Sequence, residues 1–237
     1  MRILIVDQCS SAKKGKDRYE ALDQETIDAE TRDSILDKDG IAAYRAKELY
    51  QGRQQQRITE AVEILKDTGD EVARIFVSAG FGIVDEDDLL PLYDVTFADM
   101  TNTEIDSRAM KLGIHEDLRE IVLGEDYDII FFALGRDYYR CARIDELLPD
   151  VPAETFVVFF NREALEQEYE NGLSLSARTT QAKLYGTIVI ALKGEYLRNF
   201  ATHRRAGKSV TDVDDIQEYC EEALSSQAGL DNYSKSS

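Results

Sequence analysis

Four stretches of this chain are apolar almost without a break: RILIV (2–6), VARIFVSA (72–79), YDIIFFAL (127–134) and ETFVVFF (154–160). The third constrains the fold most, because it shows none of the polar alternation that a strand with one wet face requires. Strands of this kind are covered on both sides, and the segments between them must supply the cover. Residues 42–66 carry a helical pattern broken near Gly52, with Ala46, Leu49 and Tyr50 on one stripe and Ile58, Val62 and Leu65 on the next. Residues 103–123 place Ile114, Leu118, Ile121 and Val122 on one helical face. ARIDELLP reads as a helix stopped by Pro149, and NREALEQEY as a helix capped by Asn161. Strands alternating with helices predict an α/β fold of three layers, a mostly parallel sheet flanked by helices.

Residues 21–40 are acidic and only weakly periodic, a covering segment or a short helix. Within 178–205, TIVIAL alone would pass for a strand. Leu184, Ile188, Ala191, Leu192 and Tyr196 recur at helical spacing, so a helix is predicted, with Gly186 and Gly194 allowing close packing. Residues 211–225 predict a last amphipathic helix. The span 1–227 reads as a single α/β domain without repeat or linker, and 228–237 as a flexible tail.

No apolar run approaches the roughly 18 residues that a membrane helix needs. The opening MRILIV meets Asp7 at once and reads as a strand, not a signal peptide. A cytoplasmic protein with no membrane partner is expected. Cys9, Cys141 and Cys220 are far apart with no CxxC pair, and His115 and His203 are the only histidines. That pattern predicts neither a disulfide framework nor a zinc site, so no metal is expected, and no motif names a cofactor. The 47 acidic residues against 28 basic ones give a net charge of −19. Such a surface repels nucleic acid at ordinary salt. It also suits a halophilic-type protein in a salt-rich cytoplasm, where screening shrinks that repulsion to a few ångströms. A merely acidic soluble protein has the same composition.

Ligands of open α/β sheets bind at the carboxyl ends of the strands, and three polar segments follow strands here. The first, DQCSSAKKGK, offers Cys9, Ser10, Ser11, Lys13 and Lys14. Hydroxyls, backbone amides and lysines in such a place suit a phosphate or carboxylate, though the GxxxxGK[ST] pattern is absent and a solvated turn reads equally well. Cys9 reads as a buried thiol more readily than as a nucleophile, with no histidine nearby in sequence. The second segment holds Ser78, Gly80 and Gly82, followed by Pro91, Tyr93 and Asp94. Either the glycines turn the backbone for steric reasons, or their amides face a ligand that Tyr93 and Asp94 read by stacking and hydrogen bonding. The third, GRDYYR, crowds Arg136 and Tyr138 at a strand end, an anion-binding rim or a surface ion pair. THRRAGK (202–208) is the one dense basic patch. Arg204, Arg205 and Lys208 are its nucleic-acid contacts if nucleic acid binds, or a complement to a helix dipole if not.

CSSAKK, AKELYQG, VSAGFGIVDEDDLLPLYDVTF and LGRDYY resemble, in the same order, the motifs of the YaaA family. There an S-x-A-K loop precedes an A-x-x-L-Y-x-G segment, an L-S-G-x-Y-G stretch and an L-A-S-x-E-Y strand end. AKLYG is similar to that family's late lysine–glycine helix. The chain is closer still to a related group of small domains with a Cys-Ser-x-x-K loop, and distantly similar to the core domain of archaeosine synthases. Two departures stand out: Ser11 replaces the proline of S-P-A-K, and Asp85–Glu86 stand where the family has proline after the acidic turn. The resemblance implies a fold akin to uracil-DNA-glycosylase-like domains and an association with nucleic acid, modified bases or peroxide stress response.

Three functions follow as expectations. In the first, the protein binds DNA, tRNA or a modified nucleobase in a strand-end pocket, either as a base-binding domain or as a base- or nucleotide-modifying enzyme. Lys13 is then the cationic or nucleophilic group, Asp94 the acid/base or base-edge acceptor, and Tyr93 the stacking platform, with Cys9, Ser10, Ser11, Ser78, Gly80, Gly82, Arg136 and Tyr138 around the ligand. In the second, it is a non-catalytic stress protein that shields DNA through 198–208. In the third, it is an enzyme of free nucleotides.

Overall fold

The computed structural model describes residues 1–223. The expected tail, 228–237, lies outside them, as do the last two residues of the helix expected at 211–225. In chain order the first half holds β1 (Arg2–Gln8), α1 (Gln24–Ala29), α2 (Arg32–Leu36), β2 (Ala43–Arg45), α3 (Ala46–Leu49), α4 (Arg53–Asp67), β3 (Glu71–Ser78), β4 (Gly82–Asp85) and β5 (Leu89–Pro91). Then come α5 (Asn102–Lys111), α6 (Ile114–Gly124), β6 (Ile129–Phe132), α7 (Arg136–Ala142), α8 (Ile144–Leu147) and β7 (Phe156–Phe160). The chain continues through α9 (Glu163–Glu168), β8 (Gly172–Leu175), α10 (Thr179–Leu184), α11 (Val189–Arg205) and α12 (Val213–Glu221).

Six strands form one sheet in the order β4-β3-β1-β6-β7-β8. All neighbours run parallel except β3 and β4, which are antiparallel, and β2 pairs with β5 in a small separate ladder. The expected α/β sheet with helices on both faces is therefore what forms. Alternation along β1 shows the layering: Leu4 and Val6 enter the core shared with α5, α6 and α7, while Ile3 and Ile5 enter the core under α4, α11 and α12. Phe131 of β6 meets Phe200 of α11 edge-on at 5.2 Å, whereas Phe132 stacks on Phe159 on the other side.

Several expectations need correction. Asn161 does not cap a helix: it is left-handed (φ 56°), and its side chain bridges to the backbone of Ala177 while Arg162 precedes α9. Gly186 is a left-handed turn residue with open space around it, so its role is conformational. Gly194 behaves as expected, since a Cβ there would lie 2.6 Å from Arg57 Cβ and 2.7 Å from the Gln54 carbonyl. This close approach lets α11 lie along α4. The segment GRDYYR is not a loop, because all but its glycine is the start of α7.

Winding direction places the ligand-prone edge. The chain passes from β1 to β3 on one side and later to β6 on the other, so its sense reverses between β1 and β6. That reversal opens the crevice in which open α/β sheets bind ligands, at the carboxyl ends of the strands. Both α4 and α11 begin at that edge and end at the other, where Arg204 of α11 pairs with Asp70 just before β3 at 2.8 Å.

Candidate functional site

The first loop leaves β1 at Cys9, whose amide donates to Val77 of β3. It then runs beside the end of α3, with Lys14 N donating to Leu49 O (2.9 Å) and Gln51 N to Ala12 O (2.8 Å). This short antiparallel bridge between Lys13 and Tyr50 turns both side chains inward. Lys13 is 6% exposed, and its Nζ lies 4.3 Å from the centre of the Tyr93 ring. Among the described residues that ammonium has no hydrogen-bond acceptor. Burial lowers the Lys13 pKa, with Cys9 and Asp94 opposing the shift. The cation–π contact offsets only part of the cost of desolvating a charge.

Below Lys13 runs a chain of buried hydroxyls. Tyr50 Oη is 2.7 Å from Tyr93 Oη, which is 2.8 Å from Ser78 Oγ. Ser78 Oγ accepts from the amides of Gly80 (3.2 Å) and Phe81 (3.1 Å). Those two bonds occupy both lone pairs of the serine oxygen, so its proton points to Tyr93. The Tyr50–Tyr93 bond uses the proton of one phenol, and the proton of the other is left unspent. Burial raises the pKa of Tyr50 and of Tyr93, so both phenols stay protonated and neutral. The Lys13 ammonium over the Tyr93 ring and one phenol proton of the Tyr50–Tyr93 pair thus remain unspent in one buried cluster.

The remaining expected residues divide clearly. Cys9 is buried and its Sγ is 3.0 Å from Tyr138 Oη, at the edge of the same cluster; burial likewise raises the Tyr138 pKa. Ser10 is half-buried and accepts from Ala12 N, while Ser11 is exposed. Asp94 stands at the outer rim, exposed and paired with Lys16 at 2.8 Å. Arg136 points into solvent, 86% exposed, and pairs with its neighbour Asp137. Tyr93 is 0% exposed, so it has no ring face for a base to stack on. The glycine turn approaches protein: a Cβ on Gly80 would lie 2.6 Å from the Tyr93 ring, and one on Gly82 (φ 74°) 2.9 Å from the Leu112 carbonyl. Arg108 of α5 holds that turn by donating to the carbonyls of Ala79 (2.5 Å) and Gly80 (3.3 Å).

The basic patch lies elsewhere. Arg204 is spent on Asp70 and on the Lys208 carbonyl at the amino edge of the sheet, and only Arg205 and Lys208 are exposed. Among the described residues no group of three or more His, Cys, Asp or Glu is placed to hold a metal ion. None of their helices is long and apolar enough to cross a membrane.

Sequence reasoning overlooked the contents of the crevice itself. Asp7 and Arg74 form an ion pair of 2.7 Å with both side chains 0% exposed, and Gln54 and Gln55 donate to the other Asp7 oxygen. Gln54 also donates to Ala133 O, and Lys193 of α11 to Leu134 O, so polar side chains from two helices close the end of β6. Burial lowers the Lys193 pKa to about 8. A lysine inside the apolar stretch IALKGEYL was the available signal. Neither a family model nor a curated protein matches the chain.

Proposed function

We propose that this protein binds a nucleobase or nucleotide, free or within DNA or tRNA, at the carboxyl ends of β1 and β3. The observation that carries the reading is the Lys13 ammonium, buried without an acceptor over the ring of Tyr93, whose phenol pair with Tyr50 keeps one unspent proton. Nucleobases present ring nitrogens and carbonyl oxygens in one plane, the acceptors that such donors need. The order of CSSAKK, AKELYQG and the glycine turn supports the same reading through their resemblance to the YaaA family, and with it a uracil-DNA-glycosylase-like architecture. A base held here lies against Lys13 and Tyr50, not stacked on Tyr93. Burial lowers the Lys13 pKa, so this lysine gives up its proton more readily than a free one, which suits a nucleophile or base in a modifying reaction.

The test is a thermal-shift screen in molar potassium chloride with nucleobases, deazaguanines, nucleotides and short oligonucleotides. A ligand specific to the folded state raises the melting temperature by linkage. The expected result is a shift from at least one base-bearing ligand that disappears in Lys13→Met and weakens in Tyr50→Phe, both of which keep the packing. A shift that survives Lys13→Met, or no shift from any of these compounds, refutes it.

A further inference from the structure

Between α4, the turn after α10 and the start of α11 lies a cavity of about 560 Å³. Arg53, Arg57 and Arg198 line it against Glu60 and Glu195, a cationic excess in a chain of net charge −19. Two of the arginines are held in place. Arg57 Nε is 2.8 Å from Glu195, Arg198 Nη2 is 2.7 Å from the same carboxylate, and Glu195 is only 10% exposed. Arg53 differs: it is exposed and has no carboxylate partner among the described residues. It is also the first residue of α4, while Thr187 and Ile188 on the opposite wall lead into α11. Neither Gly52 nor Ile188, the residues preceding these helices, supplies a side-chain cap. Two helices of 15 and 17 residues therefore begin at the wall of one cavity with their first amides uncapped, where their dipoles favour an anion.

The same cavity has an apolar lip. Tyr185 and Ile188 line it, and Leu184 (80% exposed) and Ile190 (69%) adjoin it in sequence. An inorganic anion has no use for that lip, but the organic part of an ester does. We propose that this cavity binds a small phosphate ester, its phosphate against Arg53 and the uncapped helix starts, its organic group against Ile188 and Tyr185. The site is separate from the one at Lys13, which lies on the other face of the sheet, and it does not depend on that reading.

Isothermal titration with inorganic phosphate and with phenyl phosphate tests it, in potassium chloride at constant ionic strength. Both probes should bind at one site, phenyl phosphate the more tightly. Arg53→Glu, at an exposed and unpaired position, should weaken both at least about tenfold, the loss expected when a charge-assisted contact is removed. Lys13→Met should leave both unchanged, with circular dichroism confirming that each variant is folded. No saturable heat, equal affinity in Arg53→Glu, or loss in Lys13→Met overturns the site, and equal affinity for the two probes overturns the ester.

Discussion

Lys193 makes this protein more stable as the pH rises through the mildly alkaline range. Its ammonium donates to the Leu134 carbonyl, and burial lowers its pKa from 10.5 to about 8. At pH 7 both the folded and the unfolded protein hold the proton, and the full burial penalty stands. Between pH 8 and 9.5 the folded protein releases a proton that the unfolded chain keeps, so stability rises with pH. With those two pKa values the gain from pH 7 to 9.5 is about 2 kcal/mol, trimmed toward about 1 kcal/mol by the water that reaches a half-buried side chain. Buried tyrosines such as Tyr50 and Tyr139 have raised pKa values and pull the other way above that window, as unfolded phenols ionise first. The clean measurement is therefore a difference: urea unfolding of the wild type and of Lys193→Met, at several pH values in this window. The wild type should gain on the variant by roughly 1 to 2 kcal/mol as the pH rises. A flat or shrinking difference would show that Lys193 keeps an ordinary affinity for its proton and that the crevice beside β6 is wetter than its packing shows.

Other outcomes follow from the same contacts. Arg74→Met leaves the Asp7 carboxylate buried without its counter-ion and should cost about 3–5 kcal/mol, read as a lowered urea midpoint. Gly80→Ala drives a methyl into the immobile Tyr93 ring and should destabilise by about 1–3 kcal/mol; a neutral result would mean that the turn can yield. If the net charge of −19 is an adaptation to salt, the melting temperature should climb as potassium chloride rises from about 0.1 to 2 M, and a melting temperature that ignores salt would remove that reading.

The strands that the chain displays most openly are the ones covered on both faces. RILIV, VARIFVSA, YDIIFFAL and ETFVVFF all became central or near-central strands, because continuous apolar runs have few other places to go. β8 escaped notice because GLSL is short and alternates, as befits the sheet edge it occupies. GRDYYR looked like a polar rim, yet Tyr138 and Tyr139 are buried and turn the segment into a helix. The site shows the same division. Lys13, Ser78 and Tyr93 were visible as strand-end residues, whereas Tyr50 read only as part of an apolar stripe. Its hydroxyl meets a partner 43 positions away, and no local pattern encodes such a meeting. Tyr93 was legible as a member of the site but not as its floor, since exposure is decided by what packs above it.

The buried pair of Asp7 and Arg74 has a further consequence, for how the sheet finds its alignment. In the native ladder Asp7 lies opposite Phe76, and Arg74 opposite Ile5. Apolar strands slide past one another at little cost, because one branched residue substitutes well for the next. A shift of β3 by a single residue would swing Arg74 to the face that holds Leu4 and Val6. A shift by two would keep the face but carry the guanidinium about 7 Å along the strand, out of reach of the carboxylate. Either mistake strands two charges in a dry interior. One polar contact thereby acts as a combination lock on two neighbouring inner strands, admitting a single alignment among several that grease alone would tolerate.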